Sequence, residues 1–229
     1  MLGLPRLHHR LVGSTNERAK ELAAAGAPHG TLVTADEQSA GRGRQGRAWS
    51  APAGTSILAS LVLREFDELL PLVASVAVAE ACEAAGVNCA IKWPNDVWID
   101  GRKVAGILVE GRPQEGWAVL GVGLNVSTTA DQLPDELREI ATSLEIAARR
   151  SPSREAMLET VLATLESRLE DPRDTVLAAW SERDALRGRQ LRWDGGRGVG
   201  AGVDRSGALL VDTDDGQVAL DAGEVHIGS

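Results

Sequence analysis

Apolar residues run through this chain in short blocks, and the spacing of each block predicts an element. Ser14-Thr15-Asn16-Glu17 has the S-x-x-E form of a capping box, which predicts a helix to about Ala25, stopped by Gly26 and Pro28. Thr31 to Ala35 is a short β-branched run and Thr55 to Arg64 alternates, so both read as strands, with a glycine-rich loop between them. Glu68 to Ala85 is apolar and alanine-rich ahead of Gly86, the pattern of a long buried helix. Asp100-Gly101 is a two-residue hairpin turn between Val97-Trp98-Ile99 and the run Lys103 to Glu110, and Trp117 to Val126 reads as a strand beside them. Ser153 to Glu170 and Thr175 to Leu186 read as two helices punctuated by Pro172. After Gly188 the texture changes to short strands broken by Gly-Gly, Asp-Arg-Ser-Gly and Asp-Asp-Gly turns, which predicts a small β-barrel over about residues 187–229.

The 229 residues therefore divide into a main domain, 1–186, and a small C-terminal one, 187–229. Hydrophobic residues make up 43% and charged residues 25%, enough for a buried core and against disorder. No segment approaches the roughly 20 apolar residues that span a bilayer, and Met1 to Arg10 lacks the apolar stretch of a secretion signal, so the expectation is a cytoplasmic protein without a membrane partner. Cys82 and Cys89 form no C-x-x-C pair and sit in apolar surroundings, the setting of unreactive buried thiols. A net charge of −9 argues against a nucleic-acid partner. Arg42, Arg44 and Arg47 are a local exception, a positive patch whose size suits a small anion.

That patch lies in Gly41-Arg42-Gly43-Arg44-Gln45-Gly46, a match to the dinucleotide pattern G-x-G-x-x-G. The context fails, because the fingerprint must open a helix and Arg47-Ala48-Trp49-Ser50-Ala51-Pro52 is poor helix material. An arginine-studded loop closing over a bound anion fits better, with a solvated hairpin tip as the plain alternative. Lys92-Trp93-Pro94-Asn95-Asp96 precedes Lys103, a cation at the start of an apolar strand. It is placed either to meet developing negative charge or to snorkel outward. Asp96 is a candidate Mg²⁺ ligand beside phosphates, while Asn95-Asp96 is also ordinary turn sequence. Gly121 and Gly123 strip one strand face of side chains, with Gly106 in the neighbouring strand; a flat ligand or a bulky helix side chain would fill such a slot. Thr15 and Asn16, at a helix N-terminus, are free to face a polar ligand, and Trp49 beside the arginine loop is an adenine-stacking candidate.

Together these blocks resemble the biotin–protein ligase family in its short form. The resemblance rests on Ser14 to Asn16, Glu37 to Trp49, Lys92 to Asp96, Lys103 to Glu110 and Gly121 to Asn125, in the family's order. It implies an α+β fold, a mixed-sheet, class II synthetase-like catalytic domain followed by an SH3-like β-barrel. It also implies biotin and ATP as substrates with Mg²⁺, and a biotin carboxyl carrier protein as partner. Residue by residue, it implies a biotin site of Ser14, Thr15, Gln38, Gly41, Arg42, Gly106, Leu108, Gly121 and Gly123. The ATP side would be Arg44, Arg47, Trp49, Asn95, Asp96 and Asn125, with Lys103 touching both reacting groups and Lys103 and Arg44 catalytic. Two departures stand out. The tail Gly223 to Ser229 lacks a basic residue that some relatives carry, which argues against a barrel contribution to nucleotide binding. Only 13 residues precede Ser14, so the expectation is no DNA-binding domain. Lipoate–protein ligase is the near rival and a non-catalytic biotin-binding regulator the distant one. A homodimer through an exposed strand edge is a further expectation.

Overall fold

The computed structural model describes residues 1–149 and 152–228, so Ser229, the last residue of the predicted tail, lies outside the described residues. Seven strands form one mixed sheet: β1 (Arg6–Val12), β2 (Leu32–Gln38), β3 (Ser56–Leu63), β4 (Ala90–Lys92), β5 (Asp96–Ile99), β6 (Arg102–Arg112) and β7 (Trp117–Asn125). Their order is β1-β2-β3-β7-β6-β5-β4. β1 and β2 run parallel because helix α1 (Thr15–Ala24) crosses between them, and every other pairing in this sheet is antiparallel. The Asp100-Gly101 turn forms as expected, both residues at positive φ (49° and 75°), between β5 and β6.

β3 is buried along all eight residues, since it sits mid-sheet with helices on both faces. α1 covers one face against β3 and β7. On the other lies α2 (Leu70–Ala84), whose run from Leu72 to Ala79 is buried without a break and hence shows no helical stripe. Behind α2 pack α4 (Arg154–Leu169) and α5 (Arg173–Ser181), after the short α3 (Leu144–Ala148). Ser143 and Ser153 cap α3 and α4 through Ile146 N and Ala156 N.

Three expectations change. β1 was not foreseen, because its edge position leaves Arg6, His8 and Arg10 exposed and no apolar run to read. The helix expected to reach Leu186 ends at Ser181: the next residues leave it to pair with β4, Ile91 N donating to Arg183 O and Ala185 N to Ile91 O. Ser14 takes the N-cap position in extended conformation, yet its side chain makes no capping bond. The partner carboxylate, Glu17, is drawn instead to Lys20 and Arg42, since two cations outcompete a neutral amide.

The tail is an antiparallel sheet of β8 (Gln190–Trp193), β9 (Gly196–Val203), β10 (Leu209–Thr213), β11 (Gly216–Leu220) and β12 (Val225–Ile227), ordered β11-β10-β9-β8-β12. Its outer strands are not bonded to each other among the described residues, so the sheet is not closed. Leu191, Leu209, Val211 and Val225 join the same apolar core as the large sheet, and Trp93 Nε1 donates to Gly207 O across the junction at 2.9 Å. The tail therefore sits at a fixed place beside the cleft described next.

Candidate active site

The floor of the main cleft is β6 paired with β7, and their register sets Gly106 opposite Gly123 and Leu108 opposite Gly121. A Cβ on Gly123 would lie 2.5 Å from the Trp49 indole, and one on Gly106 would meet Lys103 Nζ at 3.0 Å and Trp49 at 3.1 Å. A Cβ on Gly121 would overlap the Asn16 side chain. The expected bare slot thus exists, and in this structure two protein side chains rest on it: Trp49 from the arginine loop and Asn16 from α1.

The arginine loop is an ordered hairpin. Gly43 N donates to Arg47 O at 2.7 Å and Trp49 N to Gly41 O at 3.0 Å, with the turn made at Gln45 and Gly46 in left-handed conformation (φ 55° and 75°). Gly41 is buried against the Trp49 carbonyl, where a Cβ would not fit. The tip is solvated, as the plain alternative expected, but the three guanidinium groups reach three separate anchors. Arg42 pairs with Glu17, Arg44 Nη1 lies 3.3 Å from Asn95 Oδ1, and Arg47 pairs with Glu224 at 2.5 Å. Burial pulls Arg44 below the ordinary arginine range, partly offset by the charge of Asp96, but a guanidinium stays protonated at any physiological pH.

At the far wall Lys103 Nζ lies 2.6 Å from Asp96 Oδ1 and 5.5 Å from the Trp49 ring centroid. Lys92 also lines the cleft, 5.4 Å over Trp98, and burial pushes its ammonium down from the usual lysine value. Asn95 is fixed by its own donation to Ile107 O at 2.6 Å. Among the described residues no group of three or more His, Cys, Asp or Glu side chains is gathered for a metal, and Asp96 is a carboxylate already facing Lys103.

At the near wall, buried Thr15 and half-buried Gln38 are joined, Thr15 N and Oγ1 donating to Gln38 Oε1 at 2.7 and 3.1 Å. Ser60 Oγ lies 2.8 Å from Thr15 Oγ1 and 2.6 Å from Asn16 Oδ1. Asn16 Nδ2 donates to Glu110 Oε2 at 2.9 Å, and Lys20 bridges Glu110 and Glu17, each at 2.8 Å. Burial opposes ionisation of Glu110, but the bonds from Lys20 and Asn16 prevail and hold its carboxyl low. A continuous polar chain therefore runs from Arg42 in the hairpin to Gln38 at the cleft.

Most residues singled out in the sequence line this cleft, among them Ser14, Thr15, Gln38, Arg42, Arg44 and Arg47, together with Trp49, Asn95, Asp96, Lys103, Gly106, Leu108, Gly121 and Gly123. Gly41 and Asn125 do not: Gly41 sits at the base of the hairpin, and Asn125 is buried, donating to Thr142 O at 3.0 Å and accepting from Ser56. Sequence reasoning passed over Ser60, quoted Lys92 and Glu110 within motif blocks without giving them a role, and gave none to Glu224. Ser60 carried a signal, a hydroxyl in the middle of an apolar strand; Glu224 carried none, as its relevance depends on how the tail docks. Among the described residues neither His nor Cys lines the cleft, and Cys82 is buried within the last turn of α2, its thiol held up by a hydrogen bond with Cys89 and by desolvation. The arrangement offers cations and amides to a developing negative charge.

Comparison with known proteins agrees with this geometry. The model of the biotin/lipoate A/B protein ligase family matches residues 9–127, and that of the biotin protein ligase C-terminal domain matches 197–228. The chain is 35% identical to the bifunctional ligase/repressor BirA of Bacillus subtilis, over 100% of this chain and 75% of that one. It is 34% identical to the biotin–[acetyl-CoA-carboxylase] ligase of Mycobacterium tuberculosis, covering 93% and 85%. The solved biotin protein ligase of Aquifex aeolicus in complex with biotin and ATP superposes with a TM-score of 0.87 at 27% identity, over 97% of this chain and 99% of that one.

Proposed function

The chain belongs to the biotin protein ligases of the biotin/lipoate A/B protein ligase family, and from that premise we propose that it joins biotin to ATP as biotinyl-5'-AMP and then transfers the biotinyl group to a lysine of a biotin carboxyl carrier protein of acetyl-CoA carboxylase or a related enzyme. One observation carries the reading: a strand floor without side chains at Gly106, Gly121 and Gly123, roofed by a hairpin that brings Arg44, Arg47 and Trp49 into the same cleft as Lys103. The C-terminal match to biotin ligases supports biotin over lipoate as the acid.

In the first step a biotin carboxylate oxygen bonds to the α-phosphorus of ATP as the bond from that phosphorus to the β-phosphate oxygen breaks, releasing pyrophosphate. Lys103 and Arg44 stand where the phosphoryl oxygens gather charge, and Lys103 exchanges its pairing with Asp96 for those oxygens. Trp49 leaves its place on Gly106 and Gly123 for the face of the adenine, and the hairpin closes over the mixed anhydride to keep water out. Thr15 and Gln38 hold the biotin end. In the second step the carrier amine bonds to the activated carbonyl carbon, the acyl–phosphate C–O bond breaks, AMP departs and the nitrogen loses a proton. A lone carboxylate such as Asp96 suits Mg²⁺ held mainly by phosphate oxygens, an ion whose contribution is charge neutralisation. No helix among the described residues is long and apolar enough to cross a membrane; we place the reaction in the cytoplasm.

Biotin-dependent exchange of labelled pyrophosphate into ATP tests the first step, and label passing to a purified carrier domain tests the second. Exchange driven by lipoate and not by biotin would overturn the assignment of the acid.

A further inference from the structure

The C-terminal sheet reaches the cleft through one turn, where Gly223, Glu224 and Val225 join its lining. Glu224 Oε2 lies 2.5 Å from Arg47 Nη2. The carboxylate is carried on fixed backbone: Val225 is buried in the shared core and pairs with Trp193, and the sheet is pinned by the Trp93–Gly207 bond next to Asn95 and Asp96. His226 Nε2, at 3.9 Å, is too far to take the carboxylate by hydrogen bonding. Arg47 uses the same Nη2 toward Gln45 Oε1 at 3.4 Å, while its Nε and Nη1 have no partner among the described residues. One corner of the guanidinium is held and the rest is left for an oxyanion.

The Arg47 and Glu224 side chains are 57% and 33% exposed, so their pairing adds little to the stability of the fold. It is well suited to a smaller task, biasing a hairpin whose tip is otherwise solvated. We propose that Glu224 is a positioning residue for adenylation, holding Arg47 and with it the hairpin over the cleft, so that the C-terminal sheet is part of the ATP site without touching ATP. The inference rests on the reading above that Arg47 serves the triphosphate.

Pyrophosphate exchange with Glu224→Ala, Glu224→Gln, Arg47→Ala and the Arg47→Ala/Glu224→Ala double variant tests it. Loss of an exposed ion pair predicts a rise in the KM for ATP of about two- to fivefold in Glu224→Ala, with the KM for biotin unchanged. Glu224→Gln keeps an acceptor oxygen and recovers part of the loss. In the Arg47→Ala background, removing Glu224 has no further effect, and a factor that persists there overturns the proposal. So does an unchanged KM for ATP in Glu224→Ala. Limited trypsinolysis, with the first cut mapped by mass spectrometry, gives a readout independent of activity: cleavage at Arg42, Arg44 or Arg47 is faster in Glu224→Ala, and an unchanged rate counts against the latch. A wild-type chain without biotin-dependent exchange would sink the ligase reading, while the trypsin comparison would still decide the latch.

Discussion

Lys103 stands between Asp96 and the Trp49 ring, and in the proposed reaction its ammonium turns from that pairing to the α-phosphoryl oxygens. Removing a preorganised charge donor of this kind costs about 10²–10³ in rate, and Lys103→Ala is expected to lose that much adenylation in single-turnover assays. Exchange at the wild-type rate would disprove the role. Asp184 is a different case. Burial holds its carboxyl above the ordinary range although Oδ1 accepts from Leu186 N at 2.8 Å, and Oδ2 has no partner. A raised folded-state pKa means that the neutral form is favoured on folding, so this stabilisation is present in acid and is lost as pH rises through the folded value. Asp184→Asn should therefore unfold at a higher temperature than wild type at neutral pH, with the gap closing below about pH 4. A thermal denaturation series across pH checks both the sign and the window.

The hairpin is the element on which the proposed chemistry depends, and its Trp49 rests on glycines of two strands, β6 and β7. A Cβ at Gly123 would press into the Trp49 indole. The indole is the end of a rotatable side chain and Gly123 is backbone of a paired strand, so the indole yields before the sheet does. Gly123→Ala is expected to weaken binding of biotinyl-5'-AMP by about tenfold in calorimetry while leaving the unfolding temperature nearly unchanged, the overpacking falling on the ligand site. Much of this element was legible. Glycines and arginines marked a loop at the cleft, and the break in helix propensity after Gly46 argued against a dinucleotide turn. What the loop rests on was not legible, since Gly106 and Gly123 meet Trp49 only after β6 and β7 pair.

At the scale of the whole molecule, the chain has only three lysines, at positions 20, 92 and 103, and all lie at the cleft or its polar chain. Lys20 and Lys103 are ion-paired and Lys92 is half-buried. The remaining cations are arginines, which stay protonated and do not act as amine nucleophiles. Challenged with excess free biotinyl-5'-AMP, the protein should take up label at no site but its exposed α-amine, whereas Arg205→Lys, at a side chain 77% exposed, should gain one biotinyl group by intact mass. Labelling of Lys20 or Lys92 would contradict this. The sequence by itself determined the helices with clear stops, the β5–β6 turn, the glycine pair and the cation blocks, because each is set by neighbours within a few residues. Tertiary structure alone decided that β1 would be a strand, that Glu17 would leave the helix cap for Arg42, that Asn125 would turn into the core, and that Glu224 would arrive beside Arg47. Those outcomes depend on charges and surfaces brought together from distant parts of the chain, and local pattern carries no record of them.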